Sequence, residues 1–236
     1  MDLRSLYSLK QRCAAEFVCS LLLLAAIVSS GIMAERLSGG NNALALLANS
    51  IAVGCALFVL ILTFGPVSGA HFNPVVTLSA ATQNNISLST AAGYLLAQFS
   101  GALGGVLLAH AMFQVPGGFT QSTHVREGSG QFLSEFVATF GLMAVIWSCS
   151  RHRPKVVPAA VGAYITAAFW FTASTSFANP AVTLARCLTN TFTGIRPHDV
   201  PIFIAAQLIG GTASVFCFRW LDPHSAIDLD SKPEVD

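Results

Sequence analysis

Phe72-Asn73-Pro74-Val75-Val76-Thr77-Leu78 and Ala178-Asn179-Pro180-Ala181-Val182-Thr183-Leu184 are two copies of one heptapeptide, 106 positions apart. A single Asn-Pro pair marks only a turn or a helix cap. Two heptapeptides, each shortly after a long apolar run, mark an internal duplication. Asn is among the best N-cap residues, and Pro suits the first helical position. Each copy therefore predicts a short helix that opens at Pro74 or Pro180 and is capped by Asn73 or Asn179.

Around these copies the chain is built for lipid. It has 236 residues, 53% hydrophobic and 10% charged, against roughly 25% charged in a soluble domain. A spanning helix needs roughly 20 apolar residues, and six stretches meet or approach that: 13–34, 43–64, 88–113, 131–149, 156–172 and 200–220. The stretches 65–81 and 173–188 are too short to cross and too apolar for a solvated loop. They predict re-entrant half-helices, since irregular backbone at membrane depth survives only against protein or a water-filled cavity. The first run is too long for a signal peptide and contains Glu16.

Two further echoes occur in the same order. Ala15-Glu16-Phe17 matches Ser134-Glu135-Phe136, and Ala97-Gln98 with Gly101 matches Ala206-Gln207 with Gly210, at spacings of 119 and 109. The halves, about 12–113 and 131–220, are homologous. Each has three spans, an odd number, so the second is inserted upside down and its special sites lie near the midplane. The expected architecture is an all-α membrane protein of six spans and two half-helices in one channel domain, 1–222, with a polar, disordered tail at 223–236. With both termini inside, eight Lys and Arg residues lie on the inner side and four on the outer, as cytoplasmic loops require.

Inversion brings the two caps together. Each half-helix N-terminus carries roughly half a positive charge, and each Asn amide is expected to donate into a pore. The stretches before the caps, with Gly69, Ala70, His71 and Phe72 on one side and Thr175, Ser176 and Phe177 on the other, can line it with carbonyls. Glu16 and Glu135 are costly in a bilayer unless they face the bundle interior, so each is expected to accept hydrogen bonds from a re-entrant loop. A proton relay in a secondary transporter is the competing role. His71 reads as a packed polar residue at the inner pore mouth rather than a gate.

Other classes are excluded. The net charge of +1 argues against nucleic-acid binding. The six cysteines are scattered, read as small core residues, and form no metal or disulfide pattern. No cluster has nucleophile spacing, so neither an enzyme nor a cofactor is expected.

These motifs, Ser68 to Pro74, Asn179-Pro180-Ala181, the two Glu-Phe pairs and the two Ala-Gln-x-x-Gly pairs, resemble the aquaporin or major intrinsic protein family from about residue 12 to 220. The resemblance implies a pore in every subunit, a homotetramer in lipid, an inner-membrane location and cation exclusion by the half-helix ends, a known device of aquaporin-type pores. It puts the constriction at Asn73-Pro74-Val75 and Asn179-Pro180-Ala181, and loop support at Glu16, Glu135, Gln98 and Gln207. Val75, where Ala is usual, is expected to pack behind the constriction.

The larger departure follows the second motif. The family carries Arg there, in an outer filter; this chain has Val182. The other filter positions fall on Val53, Ser176 and either Ala167 or Phe169, because the fifth span can be counted from either end. Such a filter is wider and less polar than a water-selective one. It resembles aquaglyceroporin-like bacterial members, and implies passage of small neutral solutes such as glycerol-like polyols or arsenite, with a mainly water-selective pore as the alternative. Arg186, four residues after Val182, shares its helix face. It could reach the filter or bond loop carbonyls away from the pore.

Overall fold

The computed structural model describes residues 6–222; the expected tail at 223–236 lies outside them. Every regular element among the described residues is helical. Six long or spanning helices are α1 (Leu9–Leu37), α2 (Asn42–Ser68), α4 (Leu88–Phe113), α5 (Ser129–His152), α6 (Val157–Phe171) and α8 (Val200–Leu221). The half-helices are α3 (Pro74–Thr82) and α7 (Pro180–Arg186). Five helices are long and apolar enough to cross a membrane by themselves. The exception, α6, has 15 residues, or about 22 Å of rise, and is preceded by a 3-10 turn at Pro154–Val156.

Local chemistry sets the starts. Ser8 and Gln11 form a capping box on α1. Asn41 caps α2 by accepting from the Leu44 N–H at 3.1 Å, and Ser87 caps α4 through Thr90 at 3.2 Å. The second span ends later than its apolar run suggests. Residues 65–68, expected in the re-entrant stretch, continue α2 through Pro66 to Ser68, and Gly69 stops the helix with φ +92°.

The halves repeat one packing scheme. α1 packs on α2 and α4, α5 packs on α6 and α8, and α2 meets α6 where the halves join. Glycines set the closest approaches. A methyl at Gly101 would collide with the Phe17 carbonyl oxygen, and one at Gly210 with that of Phe136. This is why Gly follows Gln by three residues in both halves. At the α2–α6 crossing, a Cβ on Gly162 would sit 2.6 Å from the Gly54 carbonyl oxygen. Large apolar side chains such as Leu62, Leu96, Ile209 and Phe216 are exposed outside, whereas Glu16, Gln98, Glu135 and Gln207 are wholly buried. This polarity is the reverse of a soluble bundle and matches lipid as the outer solvent.

The connection between α4 and α5 folds over the exit of α7. Thr120 and Ser122 donate their N–H groups to the Leu188 and Cys187 carbonyls at 3.0 and 2.9 Å, and Arg196 donates to His124 at 2.7 Å. Asp199 ties this cap down, accepting from the Arg126 N–H at 2.7 Å and from the Arg196 guanidinium at 2.9 and 3.1 Å.

Two predictions follow from this packing. Gly162→Val should destabilise the detergent-solubilised protein by at least about 2 kcal/mol, since overpacking forces backbones apart, while Gly65→Ala, with nothing within 4 Å of the added carbon, should be neutral or stabilising by about 1 kcal/mol. Thermal melts of both variants check this. Asp199→Asn removes the charged acceptor that ties the Arg126 N–H and the Arg196 guanidinium together and should destabilise the protein by about 1–3 kcal/mol, read from the same melts.

Candidate functional site

The two asparagines meet across the middle of the molecule. Asn73 Oδ1 accepts from the Val75 N–H at 2.9 Å. Asn179 Oδ1 accepts from Ala181 and Val182 at 3.0 and 3.3 Å. Each side-chain amide then donates to the opposite half: Asn73 Nδ2 to the Ala178 carbonyl and Asn179 Nδ2 to the Phe72 carbonyl, both at 2.8 Å. The expectation of two free N–H donors per amide needs correcting. One N–H of each stitches the halves together, and the second remains to face the cavity.

The backbone before each cap is bent the same way. Gly69, Ala70 and Phe72 have φ of +92°, +51° and +27°; Thr175, Ser176 and Ala178, each 106 positions later, have +60°, +50° and +47°. Left-handed φ is strained for non-glycine residues, and the buried carboxylates hold it. Glu16 accepts from the His71 and Phe72 N–H groups at 2.9 and 2.7 Å, from Ser68 Oγ at 2.6 Å and from Gln98 Nε2 at 2.8 Å. Glu135 accepts from the Phe177 and Ala178 N–H groups, both at 2.9 Å, and from Gln207 Nε2 at 2.6 Å. The glutamines also donate to Thr77 and Thr183 Oγ1, each at 2.8 Å. His71 Nδ1 lies 3.2 Å from Thr77 Oγ1, and its ring stands edge-on to Tyr94. Both glutamates lie behind the loops, off the cavity wall.

A continuous cavity of about 490 Å³ runs past this seam. One end is bounded by Gln83, Asn85, Trp147 and Arg151. It passes Gly69, Ala70, His71 and Phe72, then the Asn73–Asn179 pair, then Val53, Phe169, Ser176, Phe177 and Val182, and ends at Arg186. Of the two α6 positions left open by counting, Phe169 borders the cavity and Ala167 is exposed on the outside.

Several expected pore residues stand elsewhere. Pro74, Val75, Pro180 and Ala181 do not border the cavity, because each half-helix turns away from the seam once its cap is made. Val75 packs with Met143 and Trp147, and Ala181 joins the main core. Thr175 borders the outer vestibule with Asn49, His124 and Arg126 rather than the main passage. Ser176 borders the same cavity as Val53, Phe169 and Val182, and its Oγ has no hydrogen-bond partner among the described residues. Arg186 is 2% exposed, donates Nε to the Thr193 carbonyl, and still borders both cavities. Arg186 thus bonds a loop carbonyl and lies on the wall of both cavities.

Arg126 is a contributor that the sequence reading missed. From the α4–α5 connection it donates Nε to the Gly194 carbonyl at 2.8 Å and a terminal N–H to that of Ser174 at 3.2 Å. No local pattern marks an arginine that reaches 48 and 68 residues onward. The matching roles of Thr77 and Thr183 were visible in the repeat but were not assigned. Thr175 is β-branched where the first half has Gly69, so its left-handed backbone carries strain of about 1–2 kcal/mol. Thr175→Gly should stabilise the protein by about 1 kcal/mol, raising the melting temperature by about 2–4 °C; a differential scan of the purified variant measures it.

Comparison with known proteins agrees with this geometry. The family model described as "Major intrinsic protein" matches residues 3–176. The chain is 50% identical to the aquaglyceroporin AqpS of Rhizobium meliloti (strain 1021), over 97% of this chain and 98% of that one. It is 28% identical to a probable aquaporin, TIP2-2, of Oryza sativa subsp. japonica, over 88% and 85%. Its fold matches the X-ray structure of the aquaglyceroporin from Plasmodium falciparum with a TM-score of 0.75, covering 94% of this chain and 100% of that one at 20% identity. The chain belongs to the major intrinsic protein family, whose members are passive membrane channels and not enzymes.

Proposed function

We propose that this channel conducts water together with larger uncharged solutes, of the size and hydroxyl content of glycerol or of arsenite in its neutral trihydroxide form. The observation that carries the reading is Val182. It borders the cavity one residue after the second Asn-Pro-Ala, beside Val53 and Phe169. Three apolar walls leave room for a carbon chain or a metalloid centre. The one free N–H on each asparagine amide then offers a donor to a passing hydroxyl. A solute with oxygens along one edge can exchange water for those donors, whereas an ion loses hydration with nothing of equal strength in return. The Rhizobium relative is named an aquaglyceroporin, which agrees.

On this reading 1–222 is a single channel domain, with the repeats at about 12–113 and 131–220. Both termini are cytoplasmic, the protein lies in the inner membrane, and four copies assemble through apolar outer faces, each with its own pore. Glu16 and Glu135 act as loop supports. Their oxygens already accept seven hydrogen bonds between them, from backbone, serine and glutamine donors, which argues against their serving as the exchanging carboxylates of a proton-coupled transporter.

Stopped-flow measurement of water, glycerol and arsenite permeability in proteoliposomes tests the proposal. The native protein should pass all three with flux linear in the gradient. Val182→Arg should cut glycerol and arsenite flux about tenfold, the effect of ~1.4 kcal/mol on a barrier, and water flux far less. A native protein that passes water alone would favour the water-selective reading, and saturable, proton-dependent uptake would favour a transporter.

A further inference from the structure

The loss of Arg at position 182 leaves open what keeps cations out of the outer half of the passage. The walls at Val53, Phe169, Ser176 and Val182 carry no charge. Arg186, one helical turn beyond Val182, brings a charge to the same lining. Its position is tightly determined. Nε donates to the Thr193 carbonyl, and the guanidinium lies over the Phe177 ring, 3.4 Å from its centroid. Phe177 is itself held edge-on by Phe203, at 5.2 Å between centroids.

A guanidinium has five N–H donors. Among the described residues Arg186 makes only the Thr193 hydrogen bond, and no carboxylate lies within ion-pair distance of it. An unpaired charge that is 2% exposed is very costly inside protein unless something solvates it. Arg186 borders both the main passage and the outer vestibule, so its unused terminal N–H groups stand where the two join. Only what occupies the passage can satisfy them. Arg126 strengthens the field, its guanidinium 5.0 Å from the same Phe177 ring, although two of its donors are taken by loop carbonyls.

We infer that Arg186 is the specificity-determining residue of the outer passage: a fixed cation one turn outside the usual position, which repels cations and donates to the hydroxyls of entering neutral solutes while Val182 keeps the narrowest section wide. Phe177 and the Thr193 carbonyl are its positioning groups. The inference rests on the reading of this channel as one for larger neutral solutes.

The test measures K⁺ current in planar bilayers and glycerol permeability in proteoliposomes, on purified full-length variants shown to be monodisperse. Arg186→Gln keeps donors but removes the charge; K⁺ current should rise at least about tenfold, as expected from lowering a barrier by ~1.4 kcal/mol. Arg186→Lys keeps the charge on a flexible stem and should stay closed to K⁺. Val182→Arg combined with Arg186→Gln should restore cation exclusion while lowering glycerol flux. A folded Arg186→Gln without K⁺ current overturns the inference. If that variant does not fold, Arg186→Lys decides alone, because a K⁺ leak with the charge still in place overturns it equally. Failure of the native protein to pass glycerol would instead overturn the solute reading, and the current measurements would stand apart from it.

Discussion

Two hydrogen bonds between side-chain amides and backbone carbonyls, Asn73 to Ala178 and Asn179 to Phe72, join the halves of this channel at its centre. Each asparagine performs two tasks with one planar group. Its oxygen closes the first turn of a short helix, and its nitrogen bonds the last loop residue before the opposite helix. Neither task can move without the other. The position of both half-helices, the direction of the loop carbonyls and the line of the passage all follow from this pair of amides.

The seam requires a backbone that most residues resist. Three positions before each cap have positive φ, and five of the six are not glycine. Such geometry persists only where the surroundings over-determine it. Here a buried carboxylate bonds two consecutive N–H groups on each side, and a glutamine from the neighbouring helix holds the carboxylate and a threonine of the half-helix together. Two charges are thus placed in the bundle interior where hydrogen bonds satisfy them, and the apolar exterior is left uninterrupted for lipid.

Much of this was legible in the sequence, for definite reasons. Span lengths follow from hydrophobic runs, helix starts from Asn-Pro chemistry, and inversion from the odd number of spans per repeat. The two Ala-Gln-x-x-Gly echoes pointed to Gln98 and Gln207, and the close helix approach explains why glycine completes them. Other features are non-local. Counting along the fifth span left Ala167 and Phe169 open because the link to the second loop is shorter than its counterpart; only the direction of the side chains separates them. Thr175, Ser176 and Ala178 carry no left-handed signal of their own, although the 106-residue offset from Gly69 contained it. Arg126 reaches the second loop from a distant connection, which no spacing encodes.

The reciprocity of the asparagine pair also bears on how the chain is made. When the ribosome has completed the first three spans, the Asn73 amide and the Phe72 carbonyl have no mates, for these lie 105 and 107 residues further on. At roughly 5–20 residues per second, several seconds pass before the second loop emerges. During that interval the Asn73 side-chain N–H and the Phe72 carbonyl must bond to something other than the second loop. The central seam therefore cannot close until the second loop has been made, and each half reaches its final form at that point only through its inverted twin.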